Sequence, residues 1–146
     1  MATEYLVQMA VTLTPKFDTV PPKVRVSVPG FCANYVVEKT RRIPLEFVAT
    51  TGFLDIEFFN KPALNHDMAV IINSVEFFGI SDPKFVWRGL YRPEYPEPWY
   101  SQQCPAPAST LSNYNYLGWN GHWRLDFDVP VFSWMHQVQD LGWIYQ

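Results

Sequence analysis

The apolar and polar positions of this chain alternate mostly with a period of two. Lys23-Val24-Arg25-Val26-Ser27-Val28 puts three valines on one side and three polar groups on the other, the pattern of a half-buried strand. Tyr5 to Leu13 predicts a largely apolar strand, and Phe31 to Glu38 and Leu45 to Thr50 predict two more, bounded by Pro29-Gly30 and Arg42-Ile43-Pro44. Gly52 opens a further run to Asn60 in which Leu54, Ile56 and Phe58 face one way and Asp55, Glu57 and Phe59 the other. Met68 to Ile80 predicts two strands or one bent strand, Phe85 to Tyr91 another, and Trp123 to Val129 alternates again. Short strands punctuated by Pro, Gly and Asn predict an all-β fold, a β-sandwich or jelly roll, forming one domain over residues 1–146. The period changes near the end: Trp134, Met135, Val138 and Leu141 recur as on a helix, with Ser133 as its cap and Gly142 as its stop. Residues 131–146 are thus expected to form a short helix or arm.

Between these strand-rich regions lies a different segment. Residues 92–120 carry Pro93, Pro96, Pro98, Pro105 and Pro107, interleaved with Tyr95, Trp99, Tyr100, Tyr114, Tyr116 and Trp119. The prolines argue against central strands, the rings argue against a disordered linker, and loops this long in a compact domain are usually functional.

Composition sharpens this reading. Aromatic residues make up 17% of the 146, and charged residues also 17%, below the roughly 25% of ordinary domains. The exterior is therefore expected to be covered in part by a partner. Thirteen prolines exclude an all-helical protein. A net charge of −3, with Arg41-Arg42 the only basic cluster, argues against nucleic acid, and the longest apolar run, Met68 to Ile72, is far too short for a membrane span. The N-terminal Met-Ala-Thr-Glu-Tyr-Leu lacks the basic-then-apolar order of a secretory signal. Cys32 and Cys104 make neither a disulfide framework nor a zinc motif and are expected to be one buried and one loop thiol.

Catalytic chemistry finds little support. No nucleophile elbow or phosphate loop is present, and His66, His122 and His136 stand in unrelated settings. Asp55/Glu57 and Asp126/Asp128 are pairs on one strand face, most simply solvent-facing acids; a small hydrolase using Asp126 or Asp128 ranks last. The expectation is a protein that is not an enzyme. Calcium is the one cofactor the residues allow: Asn65-His66-Asp67 with Asp82 or Asp126/Asp128 would offer oxygen ligands, although Asn60 to Asp67 is equally a plain turn.

The aromatic segment admits three readings. Its rings pack on their own sandwich; or they are energetic anchors of a subunit interface, together with Trp134, Trp143 and Tyr145; or they stack on sugar rings. For sugars, Trp99, Tyr100, Gln102 and Gln103, or Tyr114, Asn115, Tyr116 and Trp119, supply rings and amides; Trp99, Gln102, Tyr116 and Trp119 are the leading set. Pro-Glu-Tyr-Pro-Glu-Pro-Trp is stiffened by its prolines, so it presents side chains at small ordering cost.

Three stretches carry a family resemblance: Leu54-Asp55-Ile56-Glu57-Phe58-Phe59-Asn60-Lys61, Asp67 through Ile80, and Tyr91-Arg92-Pro93-Glu94-Tyr95-Pro96-Glu97-Pro98-Trp99. They resemble small virion-associated proteins of tailed phages, especially of cyanophages. That resemblance implies a structural subunit of a fibre, appendage or head or tail decoration, assembled in the host cytoplasm and binding other virion proteins and its own copies. The first two stretches also resemble calcium-dependent carbohydrate-binding modules of the xylan-binding type. This implies the alternative, a module for host surface glycan. Those modules cluster Asp residues around calcium; no such cluster stands out here, so only Asp67 is carried over as a ligand.

Overall fold

The computed structural model describes residues 3–62 and 67–139, and these form a β-sandwich of two antiparallel sheets. The strands in chain order are β1 (Tyr5–Lys16), β2 (Lys23–Val28), β3 (Phe31–Val36), β4 (Arg41–Ala49), β5 (Gly52–Phe58), β6 (Ala69–Phe77), β7 (Ile80–Ser81), β8 (Leu90–Pro93), β9 (Leu111–Ser112), β10 (Tyr116–Leu117) and β11 (Gly121–Phe127). Helix α1 (Pro83–Trp87) lies between β7 and β8, and α2 (Val131–Gln139) follows β11. One sheet runs β10-β6-β1-β4 with β7 beside β6; the other runs β3-β2-β5-β11-β8-β9. Among the described residues no helix is long and apolar enough to cross a membrane.

Alternation builds both inner faces. In β4, Ile43, Leu45, Phe47 and Ala49 are buried while the residues between them are exposed, and in β2 the three valines are buried. In the same sheet as β2 and facing β4, Leu54, Ile56 and Phe58 of β5 and Trp123, Leu125 and Phe127 of β11 complete the core. Pro44, expected to mark a boundary, sits inside β4; this strand is the sheet edge, where a missing N–H costs no ladder bond. The Met68 to Ile80 segment is β6, a two-residue turn at Phe78-Gly79, and β7, with a register shift opposite Thr12/Leu13.

Three expectations are corrected here. Phe85 to Tyr91 is not a strand: Asp82 caps α1 by accepting the Lys84 N–H at 2.9 Å, Pro83 begins the helix, and only Leu90–Pro93 is strand. Trp134, expected on an outward arm, is buried. Its ring lies 5.4 Å from Phe77, 5.5 Å from Phe85 and 5.9 Å from Phe127, so α2 closes the core and this ring is not offered to a partner. Ser133 lies within α2 rather than capping it; Leu141, Gly142, Trp143 and Tyr145 lie outside the described residues.

Candidate functional site

The proline-rich segment is tied to the sandwich at both ends. Tyr91 in β8 is buried, and its hydroxyl accepts the Trp119 N–H at 3.0 Å and donates to the Trp119 carbonyl oxygen. Its ring stacks on Tyr114 at 5.8 Å, and Trp123 Nε1 donates to the Tyr114 carbonyl at 3.1 Å. Burial raises the Tyr91 hydroxyl well above the ordinary phenol range. Asn120 imitates a strand partner for Lys61: its Oδ1 accepts the Lys61 N–H at 2.8 Å and its Nδ2 donates to the Lys61 carbonyl at 2.9 Å. The Asn120 carbonyl accepts the Glu94 N–H at 2.6 Å. Two short strands complete the anchoring, since β9 pairs with β8 in one sheet and β10 with β6 in the other.

This frame gathers four rings. Trp99 and Trp119 lie 4.9 Å apart, Tyr95 stacks parallel on Tyr100 at 5.6 Å, and Tyr95 meets Trp99 at 5.7 Å and the edge of Trp119 at 6.1 Å. These are ordinary separations for attractive ring pairs. The Lys61 ammonium lies 4.5 Å from the Trp119 centroid and donates to the Gly118 carbonyl; burial draws its pKa below the ordinary lysine value. Trp119 is thus held by Lys61; it and Trp99 are half-buried, and Tyr100 is exposed. The loop's shape is held by Tyr95 donating to the Ala108 carbonyl at 2.6 Å, Gln103 Nε2 donating to the Trp99 carbonyl at 3.0 Å, and Glu97 accepting the Ser101 N–H at 2.9 Å and its hydroxyl. A groove of about 220 Å³ opens between Pro93, Tyr95, Tyr100 and Ser109, and Gln102 is exposed on the adjoining 3₁₀ turn, Tyr100–Gln102.

Of the residues singled out in the sequence, Tyr95, Trp99, Tyr100 and Trp119 come together, with Gln102 beside them. Tyr114 turns inward onto Tyr91. Tyr116 sits in β10, with Lys16 Nζ 6.0 Å from its ring, and Asn115 Nδ2 is used by the Ile72 carbonyl at 3.1 Å. Asp67 pairs with Lys16 at 3.2 Å. His122 joins Asp55 at 2.9 Å, Glu57 pairs with Arg25 at 3.3 Å, and Asp126 with Arg124 at 3.0 Å. Both thiols are exposed and free, Cys32 accepting the Ser27 hydroxyl at 3.3 Å, which corrects the expectation of one buried cysteine. Sequence reasoning missed Tyr91, Lys61 and Asn120; the signal for the last two was an Asn-Lys pair at a strand's end and an Asn just before a Gly-led strand.

No protein-family model matches the chain, and no curated protein matches it in sequence. Solved structures do resemble it. A carbohydrate-binding module, vCBM60 in complex with galactobiose, superposes with a TM-score of 0.55 over 82% of this chain and 97% of its own, at 14% identity. The selenomethionine form of vCBM60, described as linking two families of calcium-dependent carbohydrate binding modules by circular permutation, gives 0.55 over 82% and 90%, at 11% identity. At these identities the likeness shows the fold, a β-sandwich shared with carbohydrate-binding modules.

Proposed function

We propose that this protein is a non-catalytic carbohydrate-binding module whose sugar platform is the ring cluster of the proline-rich loop. The observation that carries the reading is the Trp99–Trp119 pair, 4.9 Å apart and flanked by Tyr95 and Tyr100 on a loop fixed by side-chain hydrogen bonds. A sugar ring has one face dense in C–H groups and an equator of hydroxyls. Flat rings remove the former from water, while Gln102 and the loop's exposed amides exchange hydrogen bonds with the latter. Because the rings are already mutually packed, little ordering cost remains at binding. The fold likeness supports this reading; the likeness to virion proteins gains nothing from it.

The selenomethionine vCBM60 structure is described among calcium-dependent modules. Calcium takes six to eight oxygens. Among the described residues no group of three or more His, Cys, Asp or Glu converges, and Asp67 is engaged by Lys16. Asn65 and His66, which were expected to offer ligands beside Asp67, lie outside the described residues. Galactobiose and a panel of xylo- and gluco-oligosaccharides, titrated calorimetrically, are expected to give saturable heat, with Trp99→Ala weakening it at least tenfold, a cost of about 1.4 kcal/mol. Absence of binding across the panel, or a Trp99→Ala protein binding as before, overturns the reading.

A further inference from the structure

The two sheets end on strands of unlike character. In the five-stranded sheet, β4 is an outer strand whose residues include Arg41, Arg42, Pro44 and Glu46, while β7 and β10 have two residues each. In the six-stranded sheet, β9 at one end is also two residues long. Shortness, charge and proline are the ways natural sheets blunt their edges, because an unpaired row of N–H and C=O groups recruits another strand. The opposite end is β3, and it has none of these protections. It runs for six residues beside β2, Phe31–Val36, without a charge or a proline.

The main-chain groups of β3 alternate in direction. The Val37 N–H donates to the Pro22 carbonyl at 2.9 Å, at the start of β2, and the antiparallel ladder then turns the groups of Phe31, Ala33 and Tyr35 towards β2 as well. Those of Cys32, Asn34 and Val36 point away from the sheet. Arg41, reaching across from β4, donates to the Val36 carbonyl at 3.5 Å, and its Cζ lies 4.8 Å from the Tyr35 ring centroid. That end of the strand is closed. At Cys32 and Asn34 the outward N–H and C=O groups have no strand to receive them. The same edge leaves Phe31 46% exposed and Val36 39% exposed.

We propose that β3 pairs antiparallel with β3 of a second copy of this chain, about a two-fold axis at Ala33, so that the two six-stranded sheets join into one. An axis perpendicular to the sheet keeps inner face beside inner face. Opposed residues must therefore share a face, and only a pairing centred on a residue meets that condition. Centred on Ala33, Cys32 of each copy opposes Asn34 of the other, and all the free N–H and C=O groups of both residues are used. Two methyl groups meet at the axis, in the close pairing of about 4.5 Å between Cα atoms that lacks its own hydrogen bonds. Phe31 stands opposite Tyr35 of the second copy, an aromatic cross-strand pair. A pairing centred on Asn34 would call on the Val36 carbonyl that Arg41 already takes, and one centred on Cys32 would leave half of β3 unpaired. The edge thus supplies its own complement, and being uncharged it opposes no like charges to itself. Strands β8 and β9, which flank most of the proline-rich loop, lie at the far end of the same sheet, so the pairing leaves both ring clusters open. It does not rest on the sugar reading.

The test is sedimentation equilibrium of the full chain over a concentration series, with a thiol reductant present to exclude disulfide dimers. The mass is expected to rise from the 17.0 kDa of one copy to twice that value, and hydrogen exchange at the Cys32 and Asn34 amides is expected to slow in parallel. Asn34→Pro removes an outward N–H and no ladder bond to β2, so it is expected to keep the β-sheet circular dichroism of the parent and to weaken the dimer at least tenfold. Cys32→Lys leaves every main-chain group in place, blunts the edge with charge, and is expected to weaken the dimer likewise. The mass of a single copy up to about 1 mM overturns the inference, as that marks association of no more than about 4 kcal/mol. So does a dimer in which the Cys32 and Asn34 amides exchange as fast as in the single copy, or one that both variants leave unchanged.

Discussion

Tyr91 shows how a single side chain can carry a site it does not itself form. Its hydroxyl satisfies both the N–H and the carbonyl of Trp119, and so fixes the main chain that aims that ring. Because burial raises its pKa, the folded protein keeps the phenol protonated while the unfolded chain ionises near pH 10. The sign follows: the unfolded state loses its proton first, so this stabilisation is complete below pH 10 and declines as pH rises above it. A melting temperature that falls above pH 10, with a shallower fall in Tyr91→Phe, is expected in thermal scans. Tyr91→Phe also leaves the Trp119 main-chain groups without their partner, a loss of about 1–3 kcal/mol at neutral pH. A neighbouring constraint is steric. Gly121 has φ +151°, and a Cβ there would stand 2.3 Å from the Arg92 carbonyl oxygen in β8. Gly121→Ala is therefore expected to cost more than about 1 kcal/mol in chemical denaturation and to displace Asn120 and Trp119.

At the level of elements, α1 is a five-residue helix that its sequence period could not reveal, since only Phe85 and Val86 are buried and the run reads as strand. Its legible signal was the cap. Asp82 accepts the Lys84 N–H and also takes Gln139 Nε2 at 2.9 Å, so one carboxylate starts α1 and clips it to the end of α2. The Lys84 N–H first, then Gln139, hold the Asp82 carboxyl below its usual pKa. That stabilisation is present above about pH 4, the unfolded carboxyl's range, and is lost as pH falls through the lower folded value. Asp82→Ala is expected to cost about 1–2 kcal/mol, whereas Asp82→Asn keeps most of the cap and loses the acid dependence in melts between pH 2 and 6. By contrast, β2 was legible to the residue, because three valines alternate with polar neighbours and Pro-Gly follows. The ring cluster was legible only as composition. The contacts that select Trp99 and Trp119 over Tyr114 and Tyr116 run through Lys61, Tyr91 and Asn120, which are distant in sequence and follow no period.

Across the whole molecule, tryptophans of similar appearance in sequence divide into two populations with opposite consequences. Trp134 was expected to face a neighbouring subunit. Instead α2 seals the sandwich where Phe77, Phe85 and Phe127 meet, and removal of Trp134 opens a cavity among three rings. Trp134→Ala is expected to cost about 3–5 kcal/mol, a large part of what holds a domain of this size together. Trp99 is half-buried and not part of that core, its ring packing on Trp119 and Tyr95, so its truncation forfeits less burial than that of Trp134. The pair forms a test in which stability and binding move separately. In thermal scans Trp134→Ala should melt far below the parent, yet well below its own midpoint it should bind oligosaccharide as the parent does. Trp99→Ala should melt within a few degrees of the parent, a shift worth about 1 kcal/mol, and bind at least tenfold more weakly. Were both variants to lose binding only in proportion to their unfolded fraction, the rings of the loop would be packing for the sandwich and not a surface for sugar.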